Sequence, residues 1–196
     1  MSEVERALGG IRSELSSRPA LELPPGRLRP ASVLICLIVR DDELGLLFSE
    51  RAADLPVHGG QISFPGGAVE PGETGVDAAR RETEEEVGIP RERITILGRC
   101  DDIESRSGFV ISPFVGTAPA AAEYVLQPSE VVGTFEVPLA SLVRPDLPRI
   151  RYVVNRGITY PVYSYQWGDR DIWGLTAQIL KMFLDRVRRA GVSFQP

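Results

Sequence analysis

Histidine, lysine and cysteine are nearly absent from this chain of 196 residues, and each scarcity closes off a class of chemistry. The one histidine is His58, so no multi-histidine metal site can form within the chain. A nucleophilic triad built on serine or cysteine would have to pass through that residue alone. The two cysteines, Cys36 and Cys100, stand far apart and outside any CxxC, which is a poor disulfide framework and suits a reducing compartment. A metal, if used, is then expected on oxygen ligands, which selects Mg²⁺ or Mn²⁺. Lysine is reduced to Lys181, and the arginines that carry the remaining positive charge are scattered rather than clustered. A net charge of -5 argues against a generic binder of nucleic acid or of anionic membranes. Long apolar runs are missing too: residues 33–39 fall far short of the ~20 needed to span a bilayer. The N-terminus is acidic where a secretory signal would be basic, so the cytoplasm is the expected compartment.

What is present suits an ordinary folded protein, with 43% hydrophobic and 25% charged residues. Residues 1–30 read as a short helix, with Val4, Leu8, Ile11 and Leu15 on one face, followed by a connector containing Pro19, Pro24, Pro25 and Pro30. Residues 31–196 read as one domain. Its first strand is the apolar run from Ala31 to Val39, which turns at Asp41-Asp42-Glu43 into a second strand from Leu44 to Ser49. A short segment from Ile62 to Phe64 precedes Pro65-Gly66-Gly67. A helix is predicted over about residues 74–87, with Thr74 and Asp77 as a capping box and Gly88 as its terminator. Further strands are predicted at Ile94–Cys100, Phe109–Thr117 and Thr134–Val137. Asn155-Arg156-Gly157 marks a hairpin between Arg151–Val154 and Ile158–Gln166. A last helix runs from Leu175 to about Arg189. Many strands with few helices predict an α+β fold, a mixed sheet covered by helices.

The chemistry concentrates in the central helix. Glu82, Glu85 and Glu86 stand at i, i+3 and i+4, so their carboxylates are expected to converge on one solvent-facing side. Val76, Ala79, Thr83 and Val87 form a neighbouring stripe that would pack on the sheet. Taken alone, such an acid run reads more simply as a solvated face. A divalent cation among the three acids gives their repulsion a purpose, because Mg²⁺ takes a few carboxylates and completes its shell with substrate phosphates.

The wider spacing adds to this. Gly67, Glu73, Arg81-Glu82, Glu85-Glu86, Gly88 and Ile89 together resemble the complete Nudix box. The resemblance implies Mg²⁺-dependent hydrolysis of nucleoside diphosphates linked to another moiety, on a Nudix-type α/β/α sandwich with a mixed β-sheet between helices. It implies that Glu82, Glu85 and Glu86 are metal ligands, one doubling as base, and that Arg81 orients them by ion pairing, with Glu73 as a partner. Gly67 would lie in the loop beside the substrate. A further catalytic carboxylate is expected from a later loop, with Glu130 as the choice and Glu136 as the rival. Thr83 stands where the family carries a bulky aliphatic residue.

Upstream, Arg51, Ala52, Gly60 and Phe64 to Gly67 match the additional motif of the coenzyme A pyrophosphatase branch, with Ser49 in place of threonine. Phe48 and, more seriously, Pro56 depart from it, the latter replacing an arginine. Ser107-Gly108-Phe109 and the stretch Ile172 to Ala177 are also similar, so the resemblance covers about residues 31–184. It implies cleavage of coenzyme A to 3′,5′-ADP and 4′-phosphopantetheine by water attack at phosphorus. Arg51 is the expected grip on the 3′-phosphate. His58 reads as a ligand or base, or as an ordinary loop histidine. Phe64 reads as a platform for a base, or as a core aromatic. The NADH and ADP-ribose pyrophosphatase branches fit less well, and a non-catalytic Nudix module usually lacks a box glutamate. The expected partner is a small nucleotide substrate, with no nucleic acid and no membrane; homodimer formation stays open.

Overall fold

The apolar run at the start of the domain becomes strand β1 (Arg29–Arg40), and its alternation assigns the two faces of the fold. Leu34, Cys36 and Ile38 pack with Ala79 and Val87 on one side of the sheet. Ile35 and Leu37 pack on the other side with residues of the first and last helices. A strand buried on both faces needs continuous hydrophobicity rather than alternation, which is why the run is unbroken. The computed structural model describes residues 2–24, 26–53, 59–121, 123–155 and 157–192.

Helix α1 (Glu3–Ser16) begins at a capping box in which the Ser2 side chain and Glu5 exchange bonds with each other's backbone N–H. It buries Val4, Ala7, Ile11 and Leu15. The first hairpin joins β1 to β2 (Glu43–Arg51) through Asp41 and Asp42, both with positive φ, the backbone of a tight two-residue turn. Two short strands follow, β3 (Ile62–Ser63) and β4 (Gly66–Ala68), and then helix α2 (Gly75–Val87). Strands β5 (Thr95–Arg99), β6 (Ile103–Glu104), β7 (Phe109–Pro119) and β8 (Val131–Pro138) complete the main sheet. A one-turn helix α3 (Leu139–Leu142) leads to β9 (Arg149–Asn155), β10 (Ile158–Trp167) and β11 (Arg170–Trp173), and helix α4 (Gly174–Arg189) closes the fold.

The main sheet runs β3-β2-β1-β7-β5, with β4 also paired to β1, β6 to β7 and β8 to β2. It is mixed, because β1 and β7 are parallel whereas β1 and β2 are antiparallel. With α2 on one face and α1 and α4 on the other, it is the expected helix–sheet–helix sandwich. Strands β9 to β11 form a second, three-stranded antiparallel sheet. Arg170 on β11 ties this sheet to the main one by an ion pair to Glu50, and Thr176 of α4 donates to the carbonyl of Ile62 at 2.9 Å.

Four elements escaped the sequence reading: β4, β6, β11 and α3. All are four residues or shorter, too brief to show a period, and they exist because a neighbouring strand or helix supplies their partners. Among the described residues no helix is long and apolar enough to cross a membrane.

Candidate active site

Helix α2 is held at both ends by its own sequence. Thr74 Oγ1 accepts from the Asp77 N–H at 3.2 Å and donates to the Asp77 carboxylate at 2.5 Å, so the expected capping pair meets through side chains rather than as a full capping box. At the other end Gly88, at φ 74°, returns its N–H to the carbonyl of Glu84 at 2.9 Å. The buried stripe is Ala78, Ala79, Thr83, Glu86 and Val87. Thr83, the departure from the family's aliphatic, satisfies its hydroxyl by donating to the carbonyl of Ala79 at 2.7 Å.

Glu86 is therefore not solvent-facing: it is 1% exposed. Its carboxylate accepts from the Gly66 N–H at 3.3 Å and faces Arg51, whose Nη1 stands 3.7 Å away. Burial pushes the Glu86 carboxyl up to about 8, opposed by Arg51 and the Gly66 N–H and reinforced by Glu82 and Glu130. Burial raises Glu82 as well, against the pull of Arg81. Gly67 lies so close to Glu82 that a Cβ there would fall 2.3 Å from its carboxylate oxygen; only glycine leaves that side chain its place.

Arg81 spends its whole guanidinium on this arrangement. It makes a two-pronged bond to Glu73, at 2.9 and 3.0 Å, and donates to Glu82 at 2.9 Å, Glu85 at 3.0 Å and the carbonyl of Ala68 at 3.1 Å. The planar fork thus fixes the loop before α2 to the acids on it. Glu73 is held below the usual carboxylate range chiefly by this bond.

The acids that meet are not the three expected from helix spacing. Oxygens of Glu82, Glu86 and Glu130 lie within 4.8 Å of one another, whereas Glu85, 54% exposed, stays outside that cluster on Arg81. Glu130 arrives from the loop before β8. The Gln127 N–H donates to the carbonyl of Glu86 at 3.2 Å, and the carbonyl of Glu130 accepts from the Ala52 N–H at 2.8 Å. One extra residue in β8, Val132, lies between the pairings Glu50↔Gly133 and Arg51↔Val131, and this bulge sets the approach of the loop. The rival Glu136 is committed elsewhere, to Arg40 at 2.8 Å and to the Tyr124 hydroxyl at 2.7 Å. Three clustered carboxylates, two of them with a charged form that burial disfavours and an opposite charge would restore, make a donor set suited to a hard divalent cation.

Beside the cluster opens a cleft of about 840 Å³, which reaches it through Arg51, Gly66 and Gly67. Its far wall comes from β9 and β10, the turn before β7 and the start of α4. Three of its lining residues carry buried polar atoms with no partner among the described residues, Ser32 Oγ, Arg51 Nε and Ser63 Oγ. Phe64 sits at the cleft's edge but is 3% exposed, and its ring stacks on Phe48 with centroids 4.9 Å apart. It is core packing and offers no free face to a base. His58 and Pro56 lie outside the described residues. The sequence pattern did not point to the Gly66 N–H, to Gln127 or to β9 and β10 in the far wall; only the stretches near Ser107 and from Ile172 to Ala177 carried any signal for that wall.

A family model for the NUDIX domain matches residues 28–154. A protein of Photorhabdus laumondii named as an uncharacterized Nudix hydrolase, NudL, is 36% identical over 183 residues, covering 90% of this chain and 97% of its own. The equivalent from Yersinia enterocolitica is 36% identical over 185 residues, covering 91% and 94%. Among solved structures, the MutT protein of Methanosarcina mazei Go1 superposes with a TM-score of 0.53 at 16% identity, over 89% of this chain and 98% of that one. A MutT/nudix protein of Enterococcus faecalis gives 0.53 at 14% identity, over 90% and 66%. At those identities the structures attest the fold, and the sequence matches attest the kinship: this chain belongs to the Nudix family of hydrolases, which act on phosphorus-containing anhydrides.

Proposed function

We propose that the chain hydrolyses the pyrophosphate bond of coenzyme A to 3′,5′-ADP and 4′-phosphopantetheine, with water attacking phosphorus and no covalent enzyme intermediate. The observation that carries this reading is the cleft. Its volume of about 840 Å³ lies in the upper part of the range for small-molecule sites and suits a long substrate. Arg51, Phe64, Gly66 and Gly67 of the upstream motif all line it.

In this reading Glu82, Glu86 and Glu130 hold Mg²⁺ or Mn²⁺, and Glu85 shares the anchoring of Arg81. A divalent ion there supplies neutralisation of phosphate charge during displacement. The chain's own residues do the positioning. Arg81 keeps Glu82 and Glu73 in register, and the Gly66 N–H fixes one oxygen of Glu86. Arg51 stands beside Glu86 rather than out on the wall, so it serves the pyrophosphate; its Nε–H, without a partner among the described residues, can donate to a phosphate oxygen. The expected grip of Arg51 on the 3′-phosphate is therefore withdrawn. A panel of coenzyme A, an acyl-coenzyme A, NADH and ADP-ribose, compared by kcat/KM with Mg²⁺ and with EDTA, tests the proposal. Coenzyme A or its acyl form should lead by at least tenfold. A lead for NADH or ADP-ribose would move the chain to another branch.

A further inference from the structure

The chain as a whole carries a charge of -5, yet the lining of the cleft holds four arginines against a single carboxylate, Glu104. Arg51 belongs with Glu86. The other three, Arg29, Arg106 and Arg151, have no function in the account above, and none of them forms an ion pair among the described residues.

They are brought together by the fold. Arg106 sits in the turn from Ser105 to Gly108, which the Gly108 N–H closes on the carbonyl of Ser105 at 3.3 Å. Arg29 is anchored to the same turn, its N–H donating to the carbonyl of Gly108 at 3.0 Å. Across the cleft, Arg151 pairs with Val162 and Val153 with Tyr160 on β9 and β10. Directly opposed residues share a face and alternate residues return to it, so Arg151 and Tyr160 are diagonal neighbours on one side of the small sheet. The Arg106 guanidinium lies over that Tyr160 ring, 4.5 Å from its centroid, which carries it to the face bearing Arg151. The Arg29 guanidinium lies 4.3 Å over the ring of Phe109. An arginine stacked on an aromatic face is oriented while its in-plane N–H donors stay free. Two guanidinium groups oriented in this way, with Arg151 on the same wall and no ion pair to any of the three among the described residues, focus positive potential where a second anion would sit.

We propose that Arg29, Arg106 and Arg151 form a second anion site, which takes a phosphomonoester that the substrate carries apart from its pyrophosphate. The inference rests on the reading of the acidic cluster as the hydrolytic centre, and it gives the cleft a polarity: pyrophosphate at the Glu86 end, further phosphate at the Arg106 end. It selects nucleoside diphosphate derivatives that bear an extra phosphate on the ribose.

Binding measured in EDTA isolates this site from the metal centre. Calorimetric titration of the full chain with 3′,5′-ADP, 2′,5′-ADP and 5′-AMP should show at least one bisphosphate binding tenfold or more tightly than 5′-AMP, and the arm that leads identifies the ribose position. In Arg106→Gln/Arg151→Gln that preference should fall at least fivefold, with Tm unchanged because both side chains are exposed. Arg29→Gln should lower it in the same direction. Equal affinity of wild-type protein for all three nucleotides, or equal losses on all three in the double variant, would overturn the proposal. Hydrolysis with Mg²⁺ judges the acidic centre separately. A chain that prefers the bisphosphates yet cleaves neither coenzyme A nor its dephospho form would refute the centre and leave the anion site standing.

Discussion

Glu86 shows how far a single side chain's surroundings depart from its place in a motif. On a helical wheel it is one of three equivalent acids. In the fold it is buried on the sheet side of α2, with one oxygen on the Gly66 N–H and the other facing Arg51. Its charged form is already disfavoured by burial, so Glu86→Gln should leave Tm unchanged or higher in the absence of metal. Activity should behave differently. Of Glu82→Gln, Glu86→Gln and Glu130→Gln, at least two should lose 10²-fold or more in kcat, the scale of a displaced metal ligand or base, while circular dichroism stays native. Near wild-type turnover in all three would remove the cluster from the mechanism. Glu82, Glu86 and Arg81 were singled out by the resemblance to the Nudix box, since the acid run taken alone reads as a solvated face. Spacing did not separate Glu130 from Glu136; the fold does so in position, with Glu130 beside Glu82 and Glu86 and with Glu136 bound to Arg40 and Tyr124. Phe64 stayed open between substrate platform and core aromatic because an aromatic residue next to a glycine loop looks the same in sequence whether its ring is free or, as here, stacked on Phe48.

The elements that present these residues depend on a few local devices. Helix α2 must stop where it does, because the chain leaving it has to turn under the loop that delivers Glu130. Gly88 performs that stop at φ 74°, with Val125 so close that a Cβ at position 88 would stand 2.7 Å from the Cβ of Val125. Gly88→Ala should therefore cost about 1–2 kcal/mol for the left-handed backbone alone, more with the clash. Since Gln127 and Glu130 lie just beyond Val125, kcat should fall as well; chemical denaturation and steady-state kinetics on the same sample check both. Helix boundaries, the first hairpin and the β9–β10 hairpin were legible because capping residues, periodicity and turn chemistry are local signals. The bulge at Val132 was not, since its cause is the register of β8 against β2 and not the residues of β8.

At the scale of the whole molecule, the segment joining α1 to β1 is held down by side chains from the far side of β5. Asp101 takes both prongs of Arg18, at 2.8 and 2.5 Å, and the Leu21 N–H at 2.8 Å, while Asp102 accepts from the Leu23 N–H at 2.9 Å. The Arg18 bond holds the Asp101 carboxyl down to about 2. Because this lies below the value of ~3.9 expected for the unfolded chain, the stabilisation is complete above about pH 4 and is lost as pH falls towards 2. Asp101→Asn should lower Tm at pH 7 with little change in kcat, and the gap to wild type should narrow as pH falls from 5 to 3. A gap independent of pH would show that the clamp is not ionic. The long elements, the acidic helix and the family are written in the sequence, because they reside in short-range periodicity and in fixed spacings along one helix and its leading loop. Only the folded arrangement brings Glu130 to Glu82 and Glu86 while Glu85 stays with Arg81, sets Arg51 against Glu86, and gathers in one cleft three arginines that form no ion pair among the described residues. Each of those outcomes depends on residues far apart in the chain being brought within a few ångströms by strand register and by which face of a sheet is buried, and no local pattern encodes that distance.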